Sequence, residues 1–195
     1  MSNAIKIVGL DPSLSNFGIT HATLDIDTLE VTVDSFGLTK TTNEKSKAVK
    51  KVVRKNSEDL DRAQLLHEGL LEACKGRSLA FVEMPVGSQS SRAMASYGIC
   101  LGVLAACPIP MIQVTPTEVK VAGTGIKTAT KEEMIEAAIE QFPNAPWPMK
   151  KVGGVQSPIA SQCEHLADAS FAIKAGLKTD QFLSIRSMFR MLKVA

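Results

Sequence analysis

The sequence predicts an α/β protein in which a mixed β-sheet carries packed helices. Three observations point there. The chain opens on three β-branched segments, residues 5–10, 17–24 and 29–36, separated by short polar breaks in the pattern of an antiparallel meander. From residue 58 onward, helical periodicity alternates with short apolar strands. At 195 residues, with 45% hydrophobic and 22% charged residues, the chain suits one domain with a sizeable core.

In the first strand, Ile5-Lys6-Ile7-Val8-Gly9-Leu10 ends in the single carboxylate of Asp11. The turn Pro12-Ser13-Leu14-Ser15-Asn16 leads to a second strand from Phe17. The third strand runs into a basic segment at 39–55, where Lys40, Lys45, Lys47, Lys50, Lys51, Arg54 and Lys55 face only Glu44. Such a run is a solvated stretch or a phosphate-seeking patch. A helix follows over 58–74, with Leu60, Leu65, Leu66, Leu70 and Leu71 as its apolar stripe. Residues 78–83 form a buried strand ending in Glu83, and 110–114 another short strand. Between them lies a helix over 90–107 rich in Ala and Gly; Gly98 and Gly102 fit either its packing on the sheet or the close approach of a partner helix. Thr130-Lys131-Glu132-Glu133 is a capping box opening a helix to about residue 142. Residues 143–162, with four prolines and Gly153-Gly154, are expected to form a long loop. Helices over 161–175 and 180–192 close the chain.

The composition excludes several classes. No apolar run approaches the roughly 20 residues that span a bilayer. No basic stretch followed by a long apolar one marks an export signal, so a cytoplasmic setting is expected. Cys74, Cys100, Cys107 and Cys163 form no Cys-x-x-Cys pair and are expected to be reduced core thiols. Net charge is only +2, so basic character is local.

The chemistry concentrates in separately placed acids. Asp11 and Glu83 each end an apolar strand and precede a loop. An unpaired carboxylate beside an apolar core is costly, so a cation is expected to meet each; the bland reading of Asp11 is a turn cap. Glu164-His165-Leu166-Ala167-Asp168 supplies a third element, with His165 and Asp168 three apart on one helical face and apolar residues after them. Glu164 reads as a surface acid near a helix start and is the alternative to His165 as fourth site residue. Several carboxylates with one imidazole are ligands for hard cations such as Mg²⁺ or Mn²⁺. Two such ions roughly 4 Å apart promote phosphodiester hydrolysis. No zinc spacing, Gly-x-Ser-x-Gly elbow or Walker loop is present; Gly123-Thr124-Gly125 lacks the Lys-Ser/Thr ending.

Gly9-Leu10-Asp11-Pro12-Ser13 with Gly18, then Phe81-Val82-Glu83, then Val114-Thr115-Pro116-Thr117-Glu118-Val119-Lys120, then His165-Leu166-Ala167-Asp168-Ala169 resemble RuvC-type Holliday junction resolvases in order and spacing. The resemblance runs from about residue 5 to 175. It implies an RNase H-like mixed five-stranded sheet with helices on both faces. It also implies a homodimer and Mg²⁺-dependent symmetrical nicking of four-way DNA junctions. By it, Asp11 bridges two metal ions, Glu83 binds one, and His165 and Asp168 complete the other, with Mn²⁺ able to substitute. Lys120, Lys127 and Lys131 fall where the family contacts DNA phosphates, and Lys47, Lys50 and Lys51 in the basic segment are further candidates. Ser13 stands where many members carry Gly. Where well-known bacterial members place an aromatic after the second acid, this chain has Met84, Pro85 and Val86, so Met84 or Val86 becomes the candidate apolar wedge. The segment at 39–55 and the helical extension at about 178–195 add to the common core of a single domain spanning 1–195. These departures imply a divergent branch, phage-encoded, acting in a bacterial cell or a phage-infected host.

Two other classes compete. An actin- or sugar-kinase-like ATP-using phosphotransferase also places an Asp and a Gly after its first strand, but repeats the motif in a second domain. A non-catalytic DNA-binding module on the same fold would leave the three acids apart.

Overall fold

A computed structural model describes residues 3–41 and 55–191. β1 (Ala4–Asp11) pairs antiparallel with β2 (Asn16–Asp25), which pairs antiparallel with β3 (Val31–Lys40), so the meander forms. β4 (Leu79–Glu83) joins β1 in parallel and β5 (Met111–Val114) joins β4 in parallel, giving the order β3-β2-β1-β4-β5. The third strand reaches Lys40 rather than residue 36; of the basic segment, residues 42–54, with Lys45, Lys47, Lys50, Lys51 and Arg54, lie outside the described residues.

Each central strand alternates its side chains between two cores, as a pleat requires. Val8, Leu10, Ala80 and Val82 face α1 (Lys55–Cys74) and α2 (Ser91–Leu104). On the other face, Ile7, Leu79 and Phe81 meet Ile173 of α5 (Ala160–Gly176) and Phe182 of α6 (Asp180–Met191). Helices therefore cover both faces. The C-terminal helix is part of the core: Phe182 is fully buried, with its ring centroid 5.9 Å from that of Phe81, and Arg186 Nε donates to the Ile26 carbonyl at 2.7 Å. Beside α5 pack α3 (Pro116–Thr124) and α4 (Lys131–Gln141).

Four expectations need correction. Leu60 and Leu71 are exposed, and only Leu66 and Leu70 of the stripe on α1 are fully buried, because α1 covers the sheet along a narrow line. Gly98 and Gly102 have open space where a side chain would stand, so packing on the sheet does not explain them. A helix missing from the sequence reading, α3, starts at a second capping box: Thr115 and Glu118 exchange hydrogen bonds around Pro116. The expected loop at 143–162 contains an antiparallel hairpin, β6 (Met149–Val152) and β7 (Val155–Pro158), turned by Gly153 and Gly154 at positive φ. All four cysteines are free thiols; Cys74, Cys100 and Cys163 are buried and Cys107 is partly exposed. No helix among the described residues is long and apolar enough to cross a membrane.

Candidate active site

The site begins with a match of two periodicities. Every second residue of β1 faces α5, an advance of about 6.6–6.8 Å per step. Every fourth residue of α5 faces β1, an advance of about 6 Å. The steps nearly coincide, so Ile7, Gly9 and Asp11 run beside Ile173, Ala169 and His165. Glycine makes the contact possible. A Cβ at Gly9 would lie 2.1 Å from the Ala169 carbonyl oxygen, and one at Gly18, the register partner of Asp11, 2.3 Å from that of His165. Buried Thr20 and Ser170, 3.0 Å apart through their hydroxyls, tie β2 to the same helix.

This close approach delivers the imidazole to the strand end, where His165 Nδ1 and Asp11 Oδ2 are 2.7 Å apart. Asp11 is therefore the partner of a histidine. The turn is held by Ser13, whose hydroxyl accepts from the Asn16 N–H at 3.1 Å and donates to the Asn16 carbonyl at 2.5 Å. Glu83 ends β4, the parallel neighbour of β1, in register one residue past the Leu10–Val82 pair. Two carboxylates thus leave the same end of two adjacent strands, whose backbones run about 4.8 Å apart.

Their charges are coupled. Burial, and then the charges of Asp11 and Asp168, push the Glu83 carboxyl up to about 9, with Lys120 opposing. Burial and the Asp11 charge push Asp168 up to about 7 against His165 and Lys120. Burial draws His165 down, but the Asp11 hydrogen bond and the charges of Asp11, Glu164 and Asp168 together hold it above the ordinary histidine value. Asp11, Glu83, His165, Asp168 and Lys120 therefore share one electrostatic neighbourhood. Among the described residues, no three His, Cys, Asp or Glu side chains close into a ready-made metal cage. The donor set is nonetheless of the hard-cation kind, three desolvated carboxylates whose mutual repulsion a divalent cation would relieve.

The remaining candidates separate. Lys131 Nζ binds Glu164 Oε2 at 2.6 Å, while Glu164 Oε1 stands 3.4 Å from His165 Nε2, so Lys131 and Glu164 brace the imidazole from outside. Sequence reasoning had no signal for this chain of contacts, because it depends on how α4 and α5 pack. Lys127 lies elsewhere, lining a cavity of about 520 Å³ with Thr117, Val121, Lys178 and Asp180. Met84 is half-buried against the core behind α1 and α2, whereas Val86 is 53% exposed. Lys47, Lys50 and Lys51 are outside the described residues. Cys100, buried behind the site, is pushed up to about 11 by burial and the Asp11 charge.

No protein-family model matches this chain, and no curated protein matches its sequence. Solved structures do match. RuvC of T. thermophilus in complex with a Holliday junction substrate superposes with a TM-score of 0.61 at 19% identity, covering 92% of this chain and 96% of that one. A further Thermus thermophilus RuvC structure gives 0.55 at 19% identity, covering 88% and 97%. The yeast mitochondrial Holliday junction resolvase Ydc2 gives 0.55 at 12% identity, covering 95% and 85%. The chain therefore has the RNase H-like α/β fold in the form seen in RuvC-type resolvases.

Proposed function

We propose that this protein is a divalent-metal-dependent endonuclease that nicks branched DNA, with the four-way junction as its principal substrate. The observation that carries the reading is the convergence of Asp11, Glu83 and Asp168, from two strand ends and a helix, into one coupled group beside His165 and Lys120. A non-catalytic module has no need to desolvate three like charges together. Among the described residues the five-stranded sheet occurs once, whereas an actin-like phosphotransferase carries two such units. The fold shared with junction resolvases supports the substrate class.

Asp11, Glu83 and Asp168 would hold the cations, Mg²⁺ or Mn²⁺. Two such ions, when bound, lower the pKa of a water and stabilise the leaving oxygen of a phosphodiester. His165 fixes the Asp11 carboxylate by their hydrogen bond, and Glu164 and Lys131 limit the imidazole's rotation. Lys120, a point charge acting on Glu83 and Asp168, offsets part of their repulsion and would meet a substrate phosphate.

A homodimer suits a substrate with two cut sites, because an isologous interface presents two identical centres. The face of α2 supports it: Gly98 and Gly102 stand open beside Met94 and Leu101, which are 46% and 42% exposed.

The test is a cleavage panel of end-labelled four-way junctions, flaps, three-way branches and duplexes with Mg²⁺ or Mn²⁺. The wild-type protein is expected to nick the four-way junction most rapidly and the duplex least. Intact branched substrates under every metal and salt condition would overturn the reading.

A further inference from the structure

The β6–β7 hairpin is the part of the molecule that the proposed chemistry leaves unused. Every residue from Met149 to Gln156 is exposed, and the two strands form a sheet of their own, apart from the five-stranded one. Isolated hairpins are marginal in water, so this one depends on its turn and its base. Gly153 at φ +58° and Gly154 at φ +86° have the two positive φ values that a type I′ turn requires. At the base, buried Trp147 lies 4.5 Å from Phe36 between ring centroids, and its Nε1–H donates to the Phe142 carbonyl. The Pro148 carbonyl accepts the Ile159 N–H at 2.9 Å. The result is a short stiff arm on a fixed root.

The side chains on that arm are sorted. Val152 and Val155 are register partners and so share one face at the tip, 54% and 66% exposed. Lys150 lies two residues back on the same face, and Lys151 is on the other. Between Met149 and Pro158 these lysines are the only charged residues, and neither pairs with an acid among the described residues. An apolar tip on an acid-free cationic stem is complementary to nucleic acid, where bases stack inside and phosphates lie outside. The location agrees. Ile159 is the only residue between the hairpin and α5, and His165 follows Ala160 by five residues, about 8 Å along the helix axis. The first turns of α5 meet the end of β1 that carries Asp11 and the adjoining start of β2 at Gly18.

We propose that the β6–β7 hairpin is a branch-point wedge, with Val152 and Val155 entering an opened base step and Lys150 and Lys151 held on the flanking phosphates. This deepens the nuclease reading and rests on it. It assigns the unstacking element to a segment about 70 residues beyond the loop after Glu83, where Met84 is half-buried against the core.

The experiment places 2-aminopurine at the branch point of a four-way junction. Fluorescence is measured on binding in Ca²⁺ and cleavage in Mg²⁺, for the full chain and for Val152→Ser/Val155→Ser. The wild-type protein is expected to raise the fluorescence. The double variant, with an unchanged unfolding temperature, is expected to bind within about threefold but to lose the fluorescence rise and about tenfold or more in cleavage. Val152→Leu/Val155→Leu is expected to restore both. Lys150→Ala/Lys151→Ala should weaken binding and flatten its log–log salt slope by about two. If the Ser variant keeps wild-type fluorescence and cutting, the wedge is overturned while the nuclease reading stands. Equal loss of junction and duplex affinity in that variant would also overturn it, since the tip would then be a general DNA contact. If the wild-type protein cuts no branched DNA, the nuclease reading falls and the wedge with it.

Discussion

Asp11 serves two neighbours at once, because the carboxylate proposed to face cations also takes the His165 Nδ1 at 2.7 Å. Asp11→Asn keeps the shape and removes the charge, so cleavage should vanish while junction binding persists in a gel-shift assay. Under the proposed function Glu164, 3.4 Å from His165 Nε2, would act through that imidazole rather than on substrate. Glu164→Gln is expected to slow cleavage by about tenfold or more, as loss of supporting partners does at metal sites. Its signature is a lowered His165 pKa in an NMR titration of the metal-free protein, because the Glu164 charge helps hold that pKa up. An unmoved titration would exclude the bracing role. The strand-end positions of Asp11 and Glu83 were legible in the sequence because each acid directly follows an apolar run. Asp168 stood out against the apolar residues that follow it. The Lys131–Glu164 bracing was not legible, since it joins residues 33 apart through helix packing.

Between elements, the decisive contact is the approach of α5 to β1 and β2. Gly18→Ala would drive a methyl group into the His165 carbonyl, so it should cost about 1–3 kcal/mol. A lowered denaturant midpoint and slower cleavage would report it together; an unchanged midpoint would contradict the packing. The open face of α2 leads to a second outcome. Leu101→Glu is expected to convert a dimer to a monomer in light scattering, with two coupled nicks becoming single ones. The meander, the parallel strands and the capping box at Thr130 were legible because each follows from local periodicity or a local hydrogen-bond pattern. The box at Thr115 has the same chemistry, but its helix is only nine residues and offers little periodicity. The hairpin at 149–158 was obscured by surrounding prolines, although Val152-Gly153-Gly154-Val155 carries the turn signal. The openness of Gly98 and Gly102 could not be read, because spacing alone does not say what faces a helix.

For the whole molecule, the burial of Glu83 and Asp168 beside Asp11 makes stability depend on pH, and a bound cation would offset the repulsion among the carboxylates. The native carboxyls of Glu83 and Asp168 keep protons up to about 9 and about 7, whereas in the unfolded chain they release them near their ordinary values. The raised His165 acts in the same sense. Between those limits the native state binds more protons, so stability should fall as pH rises. Thermal melts in EDTA from about pH 5 to about pH 9 are expected to show a declining Tm, with Mg²⁺ recovering most of the loss at the alkaline end. A Tm that rises with pH in EDTA would contradict the coupled-acid description. The measurement that tests the central claim most directly is strand-resolved cleavage of a labelled four-way junction over a Mn²⁺ titration, for wild type and Asp11→Asn in parallel. The expected result is metal-dependent paired nicks from the wild-type protein and none from the variant. Cleavage that persists in EDTA, or that Asp11→Asn retains, would contradict it.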